Sequence, residues 1–233
     1  MEPVKTEKMP VERSLKEKTM DIITICLQKG SKFPSEAQLA KEFCVSRTAL
    51  REVLSPFEAS GIITSQQGSG RYVQMPDISE QIADIWGILL RAKPGLLMDF
   101  LEIRSILEIN SLKKAISRVD AMQLRHLGEQ VHIMKQKAAR GEAFVTEDSK
   151  FHRTLFESTG NVLLQQLLTT FWNLFSTSHI NKIHSDLVKV ASQHEKIYAA
   201  VIRQDLPLLK TLMKEQFADA RYRIAQFLLI SGT

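Results

Sequence analysis

The sequence predicts a mostly α-helical protein in two parts, three short helices and a β-hairpin followed by a bundle of about seven helices. Serine-led helix starts occur three times before residue 50. The run 62–75 then contains two β-prone segments around a glycine-containing turn, and from residue 76 amphipathic helical patterns follow one another. We therefore divide the chain into a flexible arm (1–13), a first domain (14–75) and an all-helical second domain (76–233).

The first three helices have recognisable ends. The segments SLKE (14–17) and SEAQ (35–38) are capping boxes, in which the serine accepts from a free N–H and the fourth residue reaches back. A third serine, Ser46, caps the next helix. Glycines supply two of the stops, and the predicted spans are 14–28, 35–43 and 46–61. Pro56 lies inside the third helix, where the loss of a backbone donor should bend the last turns.

A hairpin follows directly. The segment IITSQQGSGRYVQM (62–75) places two short β-prone runs on either side of Gly68, Ser69 and Gly70. A winged helix-turn-helix typically consists of three helices and a hairpin within about 65 residues, with a tight turn before the third helix. This segment has that order. In that motif the second helix of the helix-turn-helix enters the major groove of DNA.

The third helix presents side chains suited to such a groove. Arg47 and Arg51 are four residues apart and share one face, and the arginine fork matches the O6/N7 pair of guanine. Hydroxyls at the helix N-terminus suit phosphates, a small residue allows close approach, and the hairpin turn offers donors and glycines. A solvated helix face is the alternative. The predicted DNA contacts are Ser46, Arg47, Thr48, Ala49, Arg51, Gln67, Gly68, Ser69, Gly70 and Arg71.

The first domain resembles a known family over about residues 14–75. The residues that carry the likeness are FPSEAQLAKEFCVSRTALREVL, EASGII and QQGSGRYV, which are similar to the N-terminal domain of GntR-family bacterial transcription regulators. The resemblance implies a homodimer that binds a palindromic double-stranded DNA operator. Three departures are a short segment before Phe33, Ala37 where members often have arginine, and the LSPFEAS segment that brings in Pro56.

Composition indicates the cellular compartment of the protein but does not identify a binding partner. The 233 residues are 44% hydrophobic and 24% charged, with a net charge of +5 that is shared between both parts. Cys26 and Cys44 have no CxxC spacing, and we interpret them as small buried hydrophobic residues in a reducing compartment. No apolar run reaches about 18 residues, and the charged N-terminus is unlike a signal peptide. We expect a cytoplasmic protein that does not contact membranes.

The second domain shows seven amphipathic segments separated by glycine, proline and capping residues. Pro94 and Gly95 interrupt the chain after the first segment, and Asp120 and Ser185 are predicted N-caps. Asp205 precedes a helix with Pro207 in its first turn. A bundle of this kind can enclose a ligand between facing helices. The predicted spans are 78–91, 95–118, 121–139, 142–159, 162–180, 186–203 and 206–230.

Two segments of the bundle carry a carboxylate and two imidazoles. In EDSKFHRTLFESTGN (147–161), Asp148 and His152 are four residues apart on one helix face, and QHEKIYAAVI (193–202) contributes His194. Converging inside a bundle, these groups could bind a divalent metal ion. A buried Asp–His hydrogen-bonded pair with a second, structural histidine explains the same spacing. The sequence leaves both interpretations open.

The bundle is similar to the FCD-type effector domain of the FadR subgroup of GntR regulators, over about 78–230. The likeness rests on D-x-x-x-H-x-x-L, G-N-x-x-L and H-x-x-I-x-x-A. In that family an aspartate and three histidines hold a metal, and an organic acid binds the metal and a nearby arginine. Asp148, His152 and His194 match the first three ligand positions, and Gln216 stands at the fourth. The resemblance implies zinc, nickel or manganese with extra water, or an effector bound without metal.

Other residues are assigned to the same pocket. Arg104, in FLEIRSILE (100–108), stands where the family has an inward-facing arginine that would hold a carboxylate. An ion pair with Asp148 or a glutamate is its structural alternative. Trp172 and Asn173 either line the pocket or pack in the core. The polar lining by Asp148, His152, His194, Gln216 and Arg104 favours a sugar acid over a fatty acyl thioester.

The function expected is an effector-responsive transcription regulator, a repressor released by its effector, and not an enzyme. A metal-dependent hydrolase would lack a glutamate general base at recognisable spacing and would leave the first 75 residues unexplained. A DNA-binding architectural protein with a non-sensing bundle and a fatty-acyl-responsive regulator are the remaining alternatives.

Overall fold

The computed structural model describes residues 14–177 and 186–231. The chain divides into two compact units between Ile78 and Ser79. The arm predicted at 1–13 lies outside the described residues. Each unit has its own hydrophobic core.

The first unit begins with three helices, and all three start at the serines predicted from the sequence. Ser14 and Ser35 form capping boxes with Glu17 and Gln38, and the Ser46 hydroxyl accepts from Ala49 N. Gly30 ends the first helix in the left-handed conformation, at φ 61°, which glycine adopts at little cost. The helices are α1 (Leu15–Lys29), α2 (Glu36–Glu42) and α3 (Arg47–Ala59).

A small antiparallel sheet completes this unit. β1 (Lys32–Phe33), β2 (Ile63–Gln66) and β3 (Gly70–Val73) lie in the order β1-β3-β2. The hairpin β2–β3 was expected, whereas β1 was not. Phe33 is buried in the core between the helices and the sheet, so the edge strand forms where this side chain enters the core. The winged helix-turn-helix is confirmed. Cys26 is buried as predicted, whereas Cys44 is exposed because it lies in the turn between α2 and α3, at φ 56°.

The second unit is a bundle of seven helices in the part of the chain that the structure describes. The seven predicted spans correspond to observed helices, and the mostly α-helical fold class is confirmed. The helices are α4 (Ser79–Ala92), α5 (Leu96–Ile116), α6 (Ala121–Ala139), α7 (Val145–Glu157), α8 (Val162–Thr177), α9 (Leu187–Ile202) and α10 (Leu206–Ser231).

Two helix starts in the bundle differ from the prediction. α7 begins at Val145 rather than at 142, because the backbone N–H groups of Gly141 and Glu142 bond back to the last turn of α6. This Schellman-type ending uses the residues assigned to the next helix. The N-cap of α9 is Asp186, whose side chain accepts from Lys189 N, and not Ser185.

Contacts among five helices enclose the interior of the bundle. α5 contacts α7 and α10, and α9 contacts α6 and α10. Aromatic side chains, including Phe151, Phe156 and Phe171, fill the centre of the core. None of the described helices has both the length and the apolar composition needed to span a membrane.

Candidate functional sites

The N-terminal end of α3 offers an exposed polar surface in the first unit. Leu50 and Leu54 are buried and fix the helix on the core, so Ser46, Arg47 and Arg51 lie on the outside. The first-turn N–H groups and the helix dipole favour an anion at this end. Thr48 is exposed beside them and Ala49 is half-buried.

Glu36 holds two of the predicted DNA-contacting arginines. Its carboxylate accepts from Arg51 Nε at 2.8 Å and from Arg71 Nη2 at 2.7 Å. Arg71 also lies 3.1 Å from Glu58. These hydrogen bonds from Arg51 and Arg71 lower the pKa of Glu36. Arg71 therefore ties the wing strand β3 to α2 and α3, while the Arg51 side chain remains 67% exposed.

The wing turn between β2 and β3 has a backbone that requires glycine. Gly68 and Gly70 have φ of 74° and 108°, a region that other L-residues rarely adopt. The Ser69 hydroxyl hydrogen bonds with Tyr72 OH at 2.8 Å, and Gln67 is exposed. The turn is thus a fixed, narrow loop whose free donors are backbone groups and Gln67.

In the second unit the structure brings Asp148, His152 and His194 together. Asp148 Oδ1 lies 2.7 Å from His194 Nε2 and 3.8 Å from His152 Nε2. One ligand-type atom from each of the three residues lies within 4.8 Å of the others. Gln216 Nε2 is 3.2 Å from His152 Nε2 and 3.1 Å from His194 Nε2. The four side chains were predicted to share a site. They come from three different helices and form one cluster in the structure.

The outer nitrogen of His194 has a hydrogen-bond partner, whereas that of His152 faces a carboxylate beyond hydrogen-bonding distance. His194 Nδ1 lies 2.9 Å from the Val190 carbonyl, so it donates there and Nε2 carries the lone pair of the neutral ring. His152 Nδ1 lies 3.6 Å from Glu108 Oε2, and Glu108 is fully buried. A carboxylate or carbonyl behind each ring is the arrangement found around histidines that bind metal.

The charges of the cluster are strongly coupled. Burial lowers the pKa of His152 to about 4, so this ring is neutral at pH 7. Burial also opposes protonation of His194, but its hydrogen bond with Asp148 raises the pKa of His194 above the usual value. Burial would raise the pKa of Asp148, but the hydrogen bond and charge of His194 lower it. Asp148 is therefore ionised.

The residues present fit a divalent metal. Two imidazole Nε2 atoms and one carboxylate oxygen converge, a donor set that zinc, nickel and manganese accept. An ionised Asp148 carboxylate 2.7 Å from His194 Nε2 requires a proton on that nitrogen, and a bound metal ion would take the place of this proton. Gln216 closes the cluster with an amide, a weaker ligand than a fourth histidine.

A cavity of about 140 Å³ adjoins this cluster. At about 30 Å³ for each water molecule, this is the volume of about five waters, enough for a small organic molecule. Asp148 and Gln216 line it and also contact the imidazoles. The guanidinium carbon of Arg104 lies 5.6 Å from the ring centres of both Phe175 and Phe217, and Arg104 Nε donates to Glu108 at 2.7 Å.

Comparison with known proteins decides the family. The FCD domain family matches residues 99–219, and the gntR family of bacterial regulatory proteins matches residues 11–73. The chain is a GntR-family regulator of the FCD type. Its relatives are transcription regulators, so the prediction that it is not an enzyme is confirmed.

Curated relatives of this regulator are moderately similar along most of its length. HTH-type transcriptional regulator LutR of Bacillus subtilis is 29% identical over 75% of this chain and 83% of its own. The Uxu operon transcriptional regulator of Escherichia coli is 24% identical over 88% of this chain and 83% of its own. The galactonate operon transcriptional repressor of Escherichia coli is 24% identical over 76% of this chain and 80% of its own.

A solved structure has the same fold. Streptococcus agalactiae GntR aligns with a TM-score of 0.64 over 90% of this chain and all of that chain, at 20% identity.

Within the FCD domain, the structure separates the residues assigned to the pocket. The cavity is lined by Arg104, Asp148, Trp172 and Gln216, but not by Asn173. His152 and His194 lie behind Asp148 and Gln216, fully buried.

Sequence reasoning missed two residues of this region in the FCD domain. Glu108 follows Arg104 by four residues and therefore shares its helix face, and Arg223 follows Gln216 by seven residues on α10. This spacing from residues already assigned to the site was the available signal.

Proposed function

We propose that this GntR-family regulator binds a small organic acid in its FCD domain and changes its affinity for operator DNA in response. The observation that carries the proposal is that Asp148 and Gln216 belong both to the cavity lining and to the buried histidine cluster. A molecule in the cavity would therefore contact the charged centre of the bundle directly.

A divalent metal at Asp148, His152 and His194 is the second part of the proposal. The donor set and the buried carboxylate of Glu108 behind His152 support it. When bound, such an ion would supply a Lewis-acidic contact for a carboxylate or hydroxyl oxygen. Gln216 would then serve as a hydrogen-bonding group for the effector, since its amide suits hydroxyls.

A sugar acid is the effector class that the lining favours. Arg104 engages Glu108 through Nε, which leaves its two terminal NH₂ groups for a carboxylate. Hydrogen-bond partners for hydroxyls are available from four polar lining residues, Asp148, Ser149, Gln193 and Gln216. Relatives named for the Uxu operon and the galactonate operon agree with this choice. The cavity also has apolar walls, which include Phe144, Phe175 and Phe217, so the choice of a sugar acid rests on the charged and amide groups.

For DNA binding, we propose that α3 enters a major groove and that the wing lies beside it. A dimer would present two such units to a palindromic operator in the cytoplasm, and effector binding would release the operator if the effector prefers the released conformation. Arg71 has a structural role in addition, because Glu36 and Glu58 hold it. The proposed contacts are Ser46, Arg47, Thr48, Ala49, Arg51, Gln67, Gly68, Ser69, Gly70 and Arg71.

The test is thermal melting of the full chain with sugar acids and divalent metals, before and after a chelator, alongside operator binding by fluorescence anisotropy. A ligand at 100 times its Kd should add about 2.7 kcal/mol to the free energy of unfolding. The same ligand should release the operator. Asp148→Asn should abolish both effects, and Glu157→Gln, an exposed carboxylate on the same helix, should keep them.

Each arm of the experiment has an outcome against the proposal. If the chelator changes neither the melting temperature nor ligand binding, the metal part fails and the acid part stands. If no acid shifts the melting temperature or the operator affinity, the cavity is structural and the architectural alternative gains support.

A further inference from the structure

Two buried donors in the cavity wall have no acceptor among the described residues. They are the indole Nε1 of Trp172 and the Nε of Arg223, and both residues line the cavity. Trp172 is only 4% exposed. Buried donors are nearly always hydrogen bonded, because leaving one unpaired forfeits its interaction with water. An acceptor oxygen supplied by a bound molecule would satisfy them.

Arg223 also carries the one formal charge of the described lining that lacks an opposite partner. Arg104 is paired with Glu108 at 2.7 Å. Asp219 is paired with Lys189 at 3.3 Å, and Asp148 with His194 at 2.7 Å. An arginine that is not paired inside the protein is suited to an anionic group from outside, particularly to a carboxylate held by two parallel hydrogen bonds.

Two polar residues of the cavity lining lie on one face of α10. Gln216 and Arg223 are seven residues apart, which is two helical turns and about 10 Å of rise. Gln216 contacts the histidine cluster, whereas Arg223 lines the cavity two turns further along the helix. A ligand that reaches from one to the other must be elongated and must end in an acceptor at Arg223.

We propose that the effector carries two acidic groups, and that Arg223 binds the second one, with the Trp172 indole as a further donor in the cavity wall. This inference rests on the proposed function, because the first acidic group is the one assigned to Arg104 and the Asp148 cluster. A six-carbon sugar diacid is elongated, its hydroxyls suit the polar groups of the lining, and its second carboxylate suits Arg223. Arg223 is then a specificity-determining residue.

The test compares pairs of sugar acids that differ only at carbon six. Calorimetric titration of the full chain with gluconate and glucarate, and with galactonate and galactarate, measures the value of the second carboxylate. We expect the diacid to bind about tenfold more tightly or better, as for a hydrogen-bonded charged group. Arg223→Gln should remove this preference by weakening the diacid much more than the monoacid.

Two further variants separate the donor role from a structural one. Trp172→Phe keeps the aromatic packing and removes the N–H, so it should reduce the diacid preference without removing monoacid binding. Arg221→Gln is the matched control, because Arg221 is exposed on the same helix and does not line the cavity. It should bind both acids as the unmodified chain does.

The outcomes distinguish this inference from the function on which it rests. If the monoacid binds and releases the operator but the diacid binds no better, the second site is refuted and the proposed function stands. If Arg223→Gln weakens both acids equally and lowers the melting temperature, Arg223 is structural and the inference fails. If neither acid of either pair binds, both proposals are refuted for sugar acids.

Discussion

At the scale of single residues, Glu36 links the fold of the first unit to its proposed DNA surface. One carboxylate engages Arg51 on α3 and Arg71 on β3, so a residue on α2 connects three elements. The Arg51 guanidinium is held at Nε and keeps its terminal nitrogens at the exposed surface. Removal of Glu36 should therefore affect both stability and the orientation of a groove-facing arginine.

Glu36→Gln should lower the free energy of unfolding by about 1 kcal/mol at pH 7, the upper range for partly exposed ion pairs. The pKa of Glu36 lies below its ordinary value of 4.5. Its contribution is therefore complete above pH 4.5 and is lost as pH falls through the lowered pKa. Urea unfolding at pH 7 and at several lower pH values should show the difference from the unmodified chain shrinking.

Glu42→Gln is the control for this prediction, since Glu42 is exposed on the same helix. Equal stability of the two variants at pH 7 would show that the Glu36 ion pairs contribute nothing measurable.

The histidine cluster shows which residues a sequence can and cannot assign. Asp148 and His152 were predicted because a spacing of four residues fixes them on one face of a helix. His194 was a candidate from its residue type alone, and its assignment with Gln216 to the ligand positions came from the resemblance, since only tertiary packing brings α9 and α10 to α7. Glu108 was not predicted because a glutamate on a helix is usually solvated, and its burial depends on the packing of α5 against α7.

At the scale of elements, the serine caps explain why the first unit could be predicted closely. A capping box is a local pattern, so Ser14 and Ser35 mark helix starts without tertiary information. The strand β1 has two residues, too few for a periodic pattern. Its pairing with β3 depends on contacts about 40 residues apart in sequence, and for that reason it was missed.

Pro56 makes α3 differ from a regular helix, and its cost to the stability of the first unit can be measured. α3 continues through it to Ala59, and Ser60 N donates to the Pro56 carbonyl at 3.0 Å. The proline supplies no N–H to the preceding turn, so the helix is continuous but lacks one hydrogen bond. The predicted distortion of the last turns thus did not end the helix.

Pro56→Ala should stabilise the first unit by up to about 2 kcal/mol. Proline inside a helix costs roughly 3 kcal/mol, but it also contributes about 1 kcal/mol to stability by restricting the unfolded chain, and the difference is the expected gain. Pro56 is exposed, so alanine leaves no cavity. Circular dichroism melting measures the effect, with the neighbouring exposed Ser55→Ala as control. An increase no larger than that of the control would mean that α3 accommodates the proline without loss.

At the scale of the whole molecule, two neighbouring helices of the bundle, α4 and α5, carry exposed aliphatic side chains. They include Ile85 at 60% and Ile88 at 63% exposure. Exposed aliphatic residues grouped in this number commonly mark an interface. We assign the proposed dimer interface to this surface, whose members are Ile85, Ile88, Leu89, Ile103 and Ile106.

A dimer held by this surface would make operator binding bivalent, so the substitution Ile88→Lys tests both properties together. A buried lysine at a two-fold interface meets its symmetry mate or apolar side chains, which disfavours association. We expect a monomer by light scattering and, because the second half-site no longer adds avidity, operator affinity lower by about a hundredfold or more. Val188→Lys, at an equally exposed aliphatic residue on α9, should remain dimeric. A dimeric Ile88→Lys protein with undiminished operator affinity would place the interface elsewhere on the chain.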